Sequence, residues 1–225
     1  MTGPLALVGG GEFTPACTFD AELAAAVGAT EVALLATGWA YENPSKAVAT
    51  ARDWFASLGL GLLEVPVYTR TDAMSAENAA AVAGARMVYL TGVSPMHMRS
   101  VLLDTPVYAA LLQAWAGGAA LVGSDAGCDV LCDPMIDIRG GAFTVGLGLL
   151  PDVAAMTHSE ERSRDMVKRT IKLAAPSLSV VEIPTSTALI DDAGRGEWRV
   201  AGAGDVVVHR DGAVVSIDSL PGARH

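Results

Sequence analysis

The chain alternates short apolar runs with longer alanine-rich stretches that are amphipathic at the helical period. The apolar runs predict strands, and the amphipathic stretches predict helices between them. The predicted strands are 4–8, 31–36, 62–67, 87–91 and 119–123, and the predicted helices are 21–27, 44–58, 76–83, 96–103 and 107–116. This alternation is typical of βα units around a parallel sheet, which binds its ligand at the carboxyl ends of its strands.

The last third of the chain follows a different pattern. Residues 133–149 are rich in glycine and lack clear periodicity, and a charged covering helix is predicted from about 160 to 174. Five short β runs follow, at 179–183, 187–190, 198–201, 206–209 and 214–217, separated by turns rich in glycine and aspartate. We expect antiparallel hairpins that extend the same sheet. Because no linker or internal repeat interrupts the pattern, residues 1–225 are predicted to form a single domain.

Composition and charge narrow the class of protein and its partners. Of the 225 residues, 51% are apolar and 18% are charged, which suits one large buried core in a soluble protein. No apolar stretch approaches the roughly 20 residues of a membrane helix. A net charge of −10 disfavours nucleic acids and acidic membrane surfaces as partners. Residues 1–4 precede an apolar run without a basic region, so we expect a cytoplasmic protein.

A tight strand-to-helix turn is predicted at Gly123-Ser124-Asp125-Ala126-Gly127. Small residues two before and two after the vertex are needed because such a turn has no room for side chains. The vertex residue, Asp125, would project above the sheet, and the N–H of Ala126 would be able to stabilise an oxyanion. The alternative is that Asp125 simply caps the helix that begins at Ala126.

Four further segments have to be considered together with this turn. They are Gly-Gly-Gly-Glu-Phe at 9–13, Tyr-Leu-Thr-Gly-Val-Ser-Pro-Met-His at 89–97, the glycine-rich segment 131–144 and Thr-Ala-Leu-Ile at 187–190. With the turn, they resemble the serine peptidase family of dipeptidase E and cyanophycinase over nearly the whole chain. The resemblance implies an α/β three-layer sandwich of the class I glutamine amidotransferase type, with a mostly parallel central sheet and C-terminal antiparallel hairpins. It also implies a homodimer and a small-molecule or short peptide-like substrate.

The catalytic residues that the resemblance implies are only partly present. The family's serine nucleophile falls on Asp125, and its histidine falls on His158, which follows Thr157 instead of the usual proline. The family's acidic residue falls on Thr185, and the glycine that supplies an oxyanion N–H falls on Val93. Aspartate has no hydroxyl proton for the histidine to remove, so serine peptidase activity is not expected. The alternatives are that Asp125 and His158 are reused for hydrolysis or acid–base chemistry, or that a pseudoenzyme binds a ligand or partner.

Four residues are candidates for binding the substrate. Gly10 and Gly11 follow the first strand, where glycine permits a close backbone approach to the site. Glu12 in the same loop is predicted to replace the missing acid or to cap the next helix. Arg139 is predicted to hold an acidic group of the substrate, and a structural ion pair is the alternative.

The sequence predicts neither a metal site nor a cofactor. The cysteines, Cys17, Cys128 and Cys132, are odd in number and have no further ligands at a suitable spacing, so buried packing is expected. Met96-His97-Met98 suggests a soft-metal site in isolation, but the family resemblance places it at the start of a helix. His97 is expected at most to edge the pocket.

Overall fold

The computed structural model describes residues 2–223, which form fifteen strands and eight α-helices. The strands are β1 (Leu5–Val8), β2 (Glu31–Gly38), β3 (Gly61–Glu64), β4 (Met87–Gly92), β5 (Ala120–Ser124), β6 (Cys132–Asp133), β7 (Met135–Asp137), β8 (Ala142–Thr144), β9 (Leu150–Pro151), β10 (Val153–Thr157), β11 (Ser179–Ile183), β12 (Thr187–Asp191), β13 (Trp198–Gly202), β14 (Val207–Arg210) and β15 (Ala213–Val215). The helices are α1 (Phe19–Val27), α2 (Pro44–Ser57), α3 (Arg70–Ala73), α4 (Ala76–Ala83), α5 (Pro95–Leu102), α6 (Pro106–Ala116), α7 (Ala126–Leu131) and α8 (Arg164–Leu173).

The central sheet has seven strands in the order β13-β12-β1-β5-β4-β2-β3. The strands β1, β5, β4, β2 and β3 are parallel, whereas β12 runs antiparallel to β1 and β13 runs antiparallel to β12. Val8 pairs with Ser124, so the loop after β1 and the turn after β5 meet at one edge of the sheet. The predicted α/β class with a mostly parallel sheet is confirmed.

Helices cover both faces of this sheet because alternate strand residues point to opposite sides. Leu5 and Leu7 of β1 belong to the apolar core that includes residues of α3 to α7. Ala6 and Val8 belong to the opposite core, which is closed by α1 and α2. The three-layer arrangement thus follows from continuous apolar strands that are buried on both faces.

A second sheet was not expected from the sequence. Its six strands are ordered β15-β14-β11-β10-β6-β9, and β10 and β11 are parallel neighbours joined through α8. The prediction that the C-terminal hairpins all extend one sheet is therefore wrong for β11, β14 and β15, because β11 pairs with β10, β14 pairs with β11 and β15 pairs with β14. It is correct for β12 and β13. The second sheet is important for the site because β10 ends directly before His158.

The charged helix predicted at 160–174 is divided into two parts. A 3-10 turn spans Ser159–Glu161, and α8 starts at Arg164 after Ser163, whose side chain accepts a hydrogen bond from the N–H of Met166. This side-chain cap fixes the start of α8. Within the part of the chain that the structure describes, no helix is both long enough and apolar enough to span a bilayer.

Candidate active site

The turn after β5 has the geometry of a strained elbow. Asp125 has φ 51° and ψ −116°, a conformation that non-glycine residues rarely adopt. A Cβ atom on Gly123 would lie 2.5 Å from the carbonyl oxygen of Gly127, and one on Gly127 would lie 2.2 Å from that of Leu90. Both glycines are therefore required by close backbone contacts, which is the physical basis of the pattern recognised in the sequence.

The Asp125 side chain does not cap α7. It makes no capping hydrogen bond to the helix, and Oδ1 instead accepts a hydrogen bond of 3.3 Å from the hydroxyl of Thr157. Burial raises the pKa of Asp125 to about 6, although the nearby His158 opposes the shift and Glu12 adds to it. The carboxyl group of Asp125 thus contacts Thr157 and does not stabilise the N-terminus of α7.

His158 lies beside Asp125. Its backbone is left-handed, with φ 48°, and its N–H donates to the carbonyl oxygen of Gly9 over 2.8 Å. The ring atom Nε2 is 3.8 Å from Oδ1 of Asp125, which is beyond a direct hydrogen bond and suits one bridging water. Both side chains line a cavity of about 580 Å³.

Thr185, where the family's acid is expected, forms a hydrogen bond with the histidine ring. The hydroxyl of Thr185 is 3.0 Å from Nδ1 of His158, and Oε1 of Glu161 is 3.8 Å from the same atom. Glu160 accepts from the N–H of Thr185 with both carboxylate oxygens, at 3.1 Å each. Two carboxylates, of Glu160 and Glu161, therefore lie on the Nδ1 side of the ring although residue 185 has none. Glu160 and Glu161 were missed from the sequence, where their position directly after His158-Ser159 was the available signal.

The glycine loop after β1 makes the close approach that was predicted. A Cβ on Gly10, which has φ 92°, would lie 2.1 Å from Nε2 of His158, and one on Gly11 would lie 2.2 Å from Cγ2 of Thr185. The N–H of Ser186 donates to the carbonyl of Gly10 over 2.7 Å. Gly11 lines the 580 Å³ cavity, whereas Gly10 lies behind the histidine ring.

Glu12 takes neither of the roles predicted for it. Its carboxylate accepts hydrogen bonds from the hydroxyls of Thr91 and Ser124, the latter over 2.7 Å, and it makes none to His158 in residues 2–223. Glu12 still lines the cavity. Ser124 is fully buried and its hydroxyl donates to Glu12, so it is not available as a substitute for a hydroxyl at the vertex.

The two backbone groups predicted to bind an oxyanion differ in their availability. The N–H of Val93 donates to the carbonyl oxygen of Gly38 over 3.2 Å, so it is engaged and the oxyanion role predicted for it is not supported. The side chain of Val93 lines the cavity. Ala126 is the first residue of α7, where N–H groups have no partner within the helix.

Arg139 forms the structural ion pair that was the alternative to substrate binding. Its guanidinium group donates to both carboxylate oxygens of Asp137, at 3.0 and 2.8 Å, and its side chain is 79% exposed. It lies outside the 580 Å³ cavity. The short spacing between the two residues satisfies the arginine locally, and its contact with a substrate stays a prediction.

The soft-metal motif has an ordinary structural role. Nε2 of His97 is 2.9 Å from the carbonyl oxygen of Tyr68, and the ring packs edge-on against Tyr41. In residues 2–223, no three histidine, cysteine or acidic side chains form a group that could hold a metal ion. The three cysteines are buried and free.

A second cavity, of about 300 Å³, lies against the same pair. Asp125 and His158 line it together with Asp129 and Arg162, two residues that the sequence analysis did not select. The available signal was the spacing of Asp125 and Asp129, because residues four apart on a helix share one face.

Replacement of Gly10 by alanine should displace His158. The added Cβ overlaps the ring and also occupies a positive φ, so we expect a loss of about 3 kcal/mol in the free energy of unfolding. Gly59→Ala is the matched control, because residue 59 has φ 75° and open space around the added atom, which limits the expected loss to about 1–2 kcal/mol. Denaturant unfolding of both variants measures the difference. Equal losses would contradict the close contact between Gly10 and His158.

Comparisons with known proteins agree with this architecture. The chain is 29% identical to a cyanophycinase of Synechococcus elongatus over 162 residues, which are 66% of this chain and 50% of that protein. It is 28% identical to a cyanophycinase of Trichormus variabilis over 166 residues, which are 68% of this chain and 55% of that protein. The chain thus spans about half the length of the curated relatives that it matches.

Solved structures match almost the whole chain. A peptidase from an acI-B1 Actinobacterium has a TM-score of 0.81 at 24% identity, covering 96% of this chain and 97% of that one. A peptidase E candidate from Listeria monocytogenes EGD-e has a TM-score of 0.65 at 14% identity, covering 93% and 99%. These likenesses show the fold. The model of peptidase family S51 matches residues 5–195, and the chain therefore belongs to that family.

Proposed function

We propose that this chain is a divergent hydrolase of family S51, in which Asp125 and His158 act together on a small-molecule or short peptide-like substrate without serine peptidase chemistry. The observation that carries the proposal is the pairing of the two side chains, with Nε2 and Oδ1 3.8 Å apart, at the wall of one cavity. An aspartate that served only as a helix cap would have no need of this neighbour.

The residues at the turn do not allow the serine peptidase reaction. Acyl transfer in serine peptidases begins when a histidine takes a proton from a hydroxyl at the vertex, and Asp125 has none. The adjacent Ser124 is buried and bonded to Glu12. The relatives are called peptidases and cyanophycinases, and their reaction does not transfer to a chain with this vertex.

A carboxylate at the vertex supports nucleophilic attack on carbon. With a pKa of about 6, Asp125 is ionised in about tenfold excess at pH 7. Its oxygen would form an ester with an electrophilic carbon while the leaving group departs with its electron pair. His158 would then take a proton from water that attacks the ester carbonyl, which regenerates the carboxylate. The hydrogen bond between Nδ1 and Thr185 orients the ring for this step.

The larger cavity has the character of a small-molecule site. Its volume of about 580 Å³ lies within the usual range for such sites. Phe13 and Trp39 supply an apolar wall, and Asn43 and Lys46 supply polar groups. These features support a small organic substrate that has both an apolar part and a polar part.

A pseudoenzyme that binds a ligand is the second candidate. The hydrogen bond from the N–H of Val93 to Gly38 favours it, because one element of oxyanion stabilisation is engaged elsewhere. In that case the elbow would be a remnant of an ancestral site, and the cavity would bind without turnover. The two candidates differ in whether Asp125 becomes covalently modified. Homodimerisation and a cytoplasmic location stay predictions.

The purified protein should not hydrolyse aspartyl dipeptides or β-aspartyl-arginine, because no serine acyl-enzyme can form. Asp125→Ser should restore little activity, since Val93 and Thr185 are unchanged. Release of amino acids measured by chromatography is the assay. Turnover by the natural chain that disappears in Asp125→Ala would contradict the prediction.

An ester on Asp125 should accumulate in the His158→Ala variant, which lacks the base that opens it. The measurement is mass spectrometry of the peptide containing Asp125 after incubation with epoxides, lactones and alkyl halides. His209→Ala is the matched control, because His209 pairs with Glu182 in the second sheet and does not line either cavity at Asp125. It should show no accumulation. Absence of an adduct with every class of electrophile would leave the binding protein as the surviving candidate.

A further inference from the structure

Asp129 is a buried carboxyl group without a role in the reaction proposed for Asp125 and His158. It lies one helical turn after Asp125 on α7, and only 2% of it is exposed. Its Oδ1 has no hydrogen-bond partner within residues 2–223. Buried polar atoms are nearly always paired, so an unpaired oxygen beside a cavity points to a ligand group. The cavity is the one of about 300 Å³ that Asp125 and His158 also line.

The electrostatics around Asp129 favour its protonated form. Burial raises the pKa of Asp129 well above its usual range, and the charge of Asp125 raises it further, while Arg162 and Thr157 oppose the shift. The form of Asp129 that carries a donatable proton is therefore favoured relative to that of an exposed aspartate. Asp125 remains mainly ionised at neutral pH. Two carboxyl groups with separated pKa values are the usual basis for dividing acid and base roles.

Arg162 supplies a second donor to the same cavity. Its Nε donates to the carbonyl oxygen of Thr157 over 3.1 Å. In the described part of the chain, Arg162 forms no ion pair with Asp125 or Asp129. Its terminal nitrogens are therefore available for an oxygen atom bound between the arginine and Asp129.

We propose that the 300 Å³ cavity is a leaving-group subsite. Asp129 and Arg162 bind the oxygen that Asp125 displaces from a substrate carbon, and Asp129 protonates it. This inference rests on the proposed nucleophilic role of Asp125. It assigns neutral epoxides as the substrate class, because their oxygen stays attached to the product and needs a proton when the ring opens.

The step balances without an additional reactant. A carboxylate oxygen of Asp125 bonds to a ring carbon, the carbon–oxygen bond breaks, and its electron pair passes to the oxygen, which takes the proton of Asp129. Arg162 stabilises the Asp129 carboxylate that results. Water, deprotonated by His158, then attacks the ester carbonyl, and the departing oxygen takes the proton from His158. The carboxylic acid formed at Asp125 returns its proton to Asp129, so the sum is addition of one water to the epoxide.

The test compares two probes with the same carbon skeleton in the His158→Ala background, where the ester accumulates. Styrene oxide needs a proton on its leaving oxygen, whereas 2-phenylethyl bromide releases a halide that needs none. Asp129→Asn keeps the size of the side chain and removes the transferable proton. We expect the rate of Asp125 ester formation to fall about 100-fold with styrene oxide and to change less than about threefold with the bromide. Asp53→Asn, on the exposed face of α2, is the matched control and should change neither rate.

Two other outcomes are possible, and they distinguish failure of the subsite from failure of the nucleophile. Equal rates with and without Asp129, or an equal fall with both probes, would show that Asp129 has a structural role and would overturn the subsite. No ester with either probe when Asp129 is intact would instead remove the proposed nucleophile, and the subsite with it.

Thermal stability gives a readout that does not depend on any probe. A carboxyl group whose folded pKa is raised loses stability as pH rises above its unfolded pKa of about 4. The Tm of the natural chain should therefore fall relative to that of Asp129→Asn between pH 4 and pH 8. A constant difference across this range would contradict a protonated Asp129.

Discussion

The left-handed backbone of residue 125 is the constraint on which the rest of the site depends. A non-glycine residue with φ 51° and ψ −116° carries strain of about 1–3 kcal/mol, which the surrounding structure has to offset. It does so through the parallel pairing of β1 with β5 and through the two glycines that allow the chain to fold tightly. The same turn places the Asp125 carboxyl group beyond the end of β5 in a partly buried position, and burial raises its pKa.

His158 has polar partners although neither residue 125 nor residue 185 supplies a serine triad's other members. Thr185 contacts one ring nitrogen and Asp125 faces the other. Asp129 lies one helical turn after Asp125 and is almost fully buried, so its ionised form is energetically unfavourable. Charge is thus arranged differently from a serine triad: a carboxyl group with a pKa of about 6 is at the vertex, and a second one, whose pKa burial raises further, is one turn after it. This arrangement suits attack on carbon followed by hydrolysis of an ester better than acyl transfer through a hydroxyl.

The sequence predicted those features that depend on local pattern. The βα alternation gave the parallel sheet, and the small residues around Asp125 gave the elbow, because both are encoded by neighbouring residues. Pairing between distant segments was less accessible: β14 adds to β11 and not to the central sheet, since no local signal specifies the neighbour of a short apolar strand. Side-chain partners were missed for a similar reason. For Arg139 the sequence left two alternatives open, and the structure shows one of them, the ion pair with Asp137 two residues earlier.

The carboxyl group of Asp125 provides the most direct test of the central claim, which is that Asp125 and His158 form one coupled pair. Its titration can be followed by ¹³C NMR of the side-chain carbon, assigned with Asp125→Asn, in the natural chain and in His158→Gln. We expect a pKa near 6 in the natural chain and a higher one in the variant, because His158 lowers the pKa that burial raises. A pKa near 4 in both proteins would contradict the account.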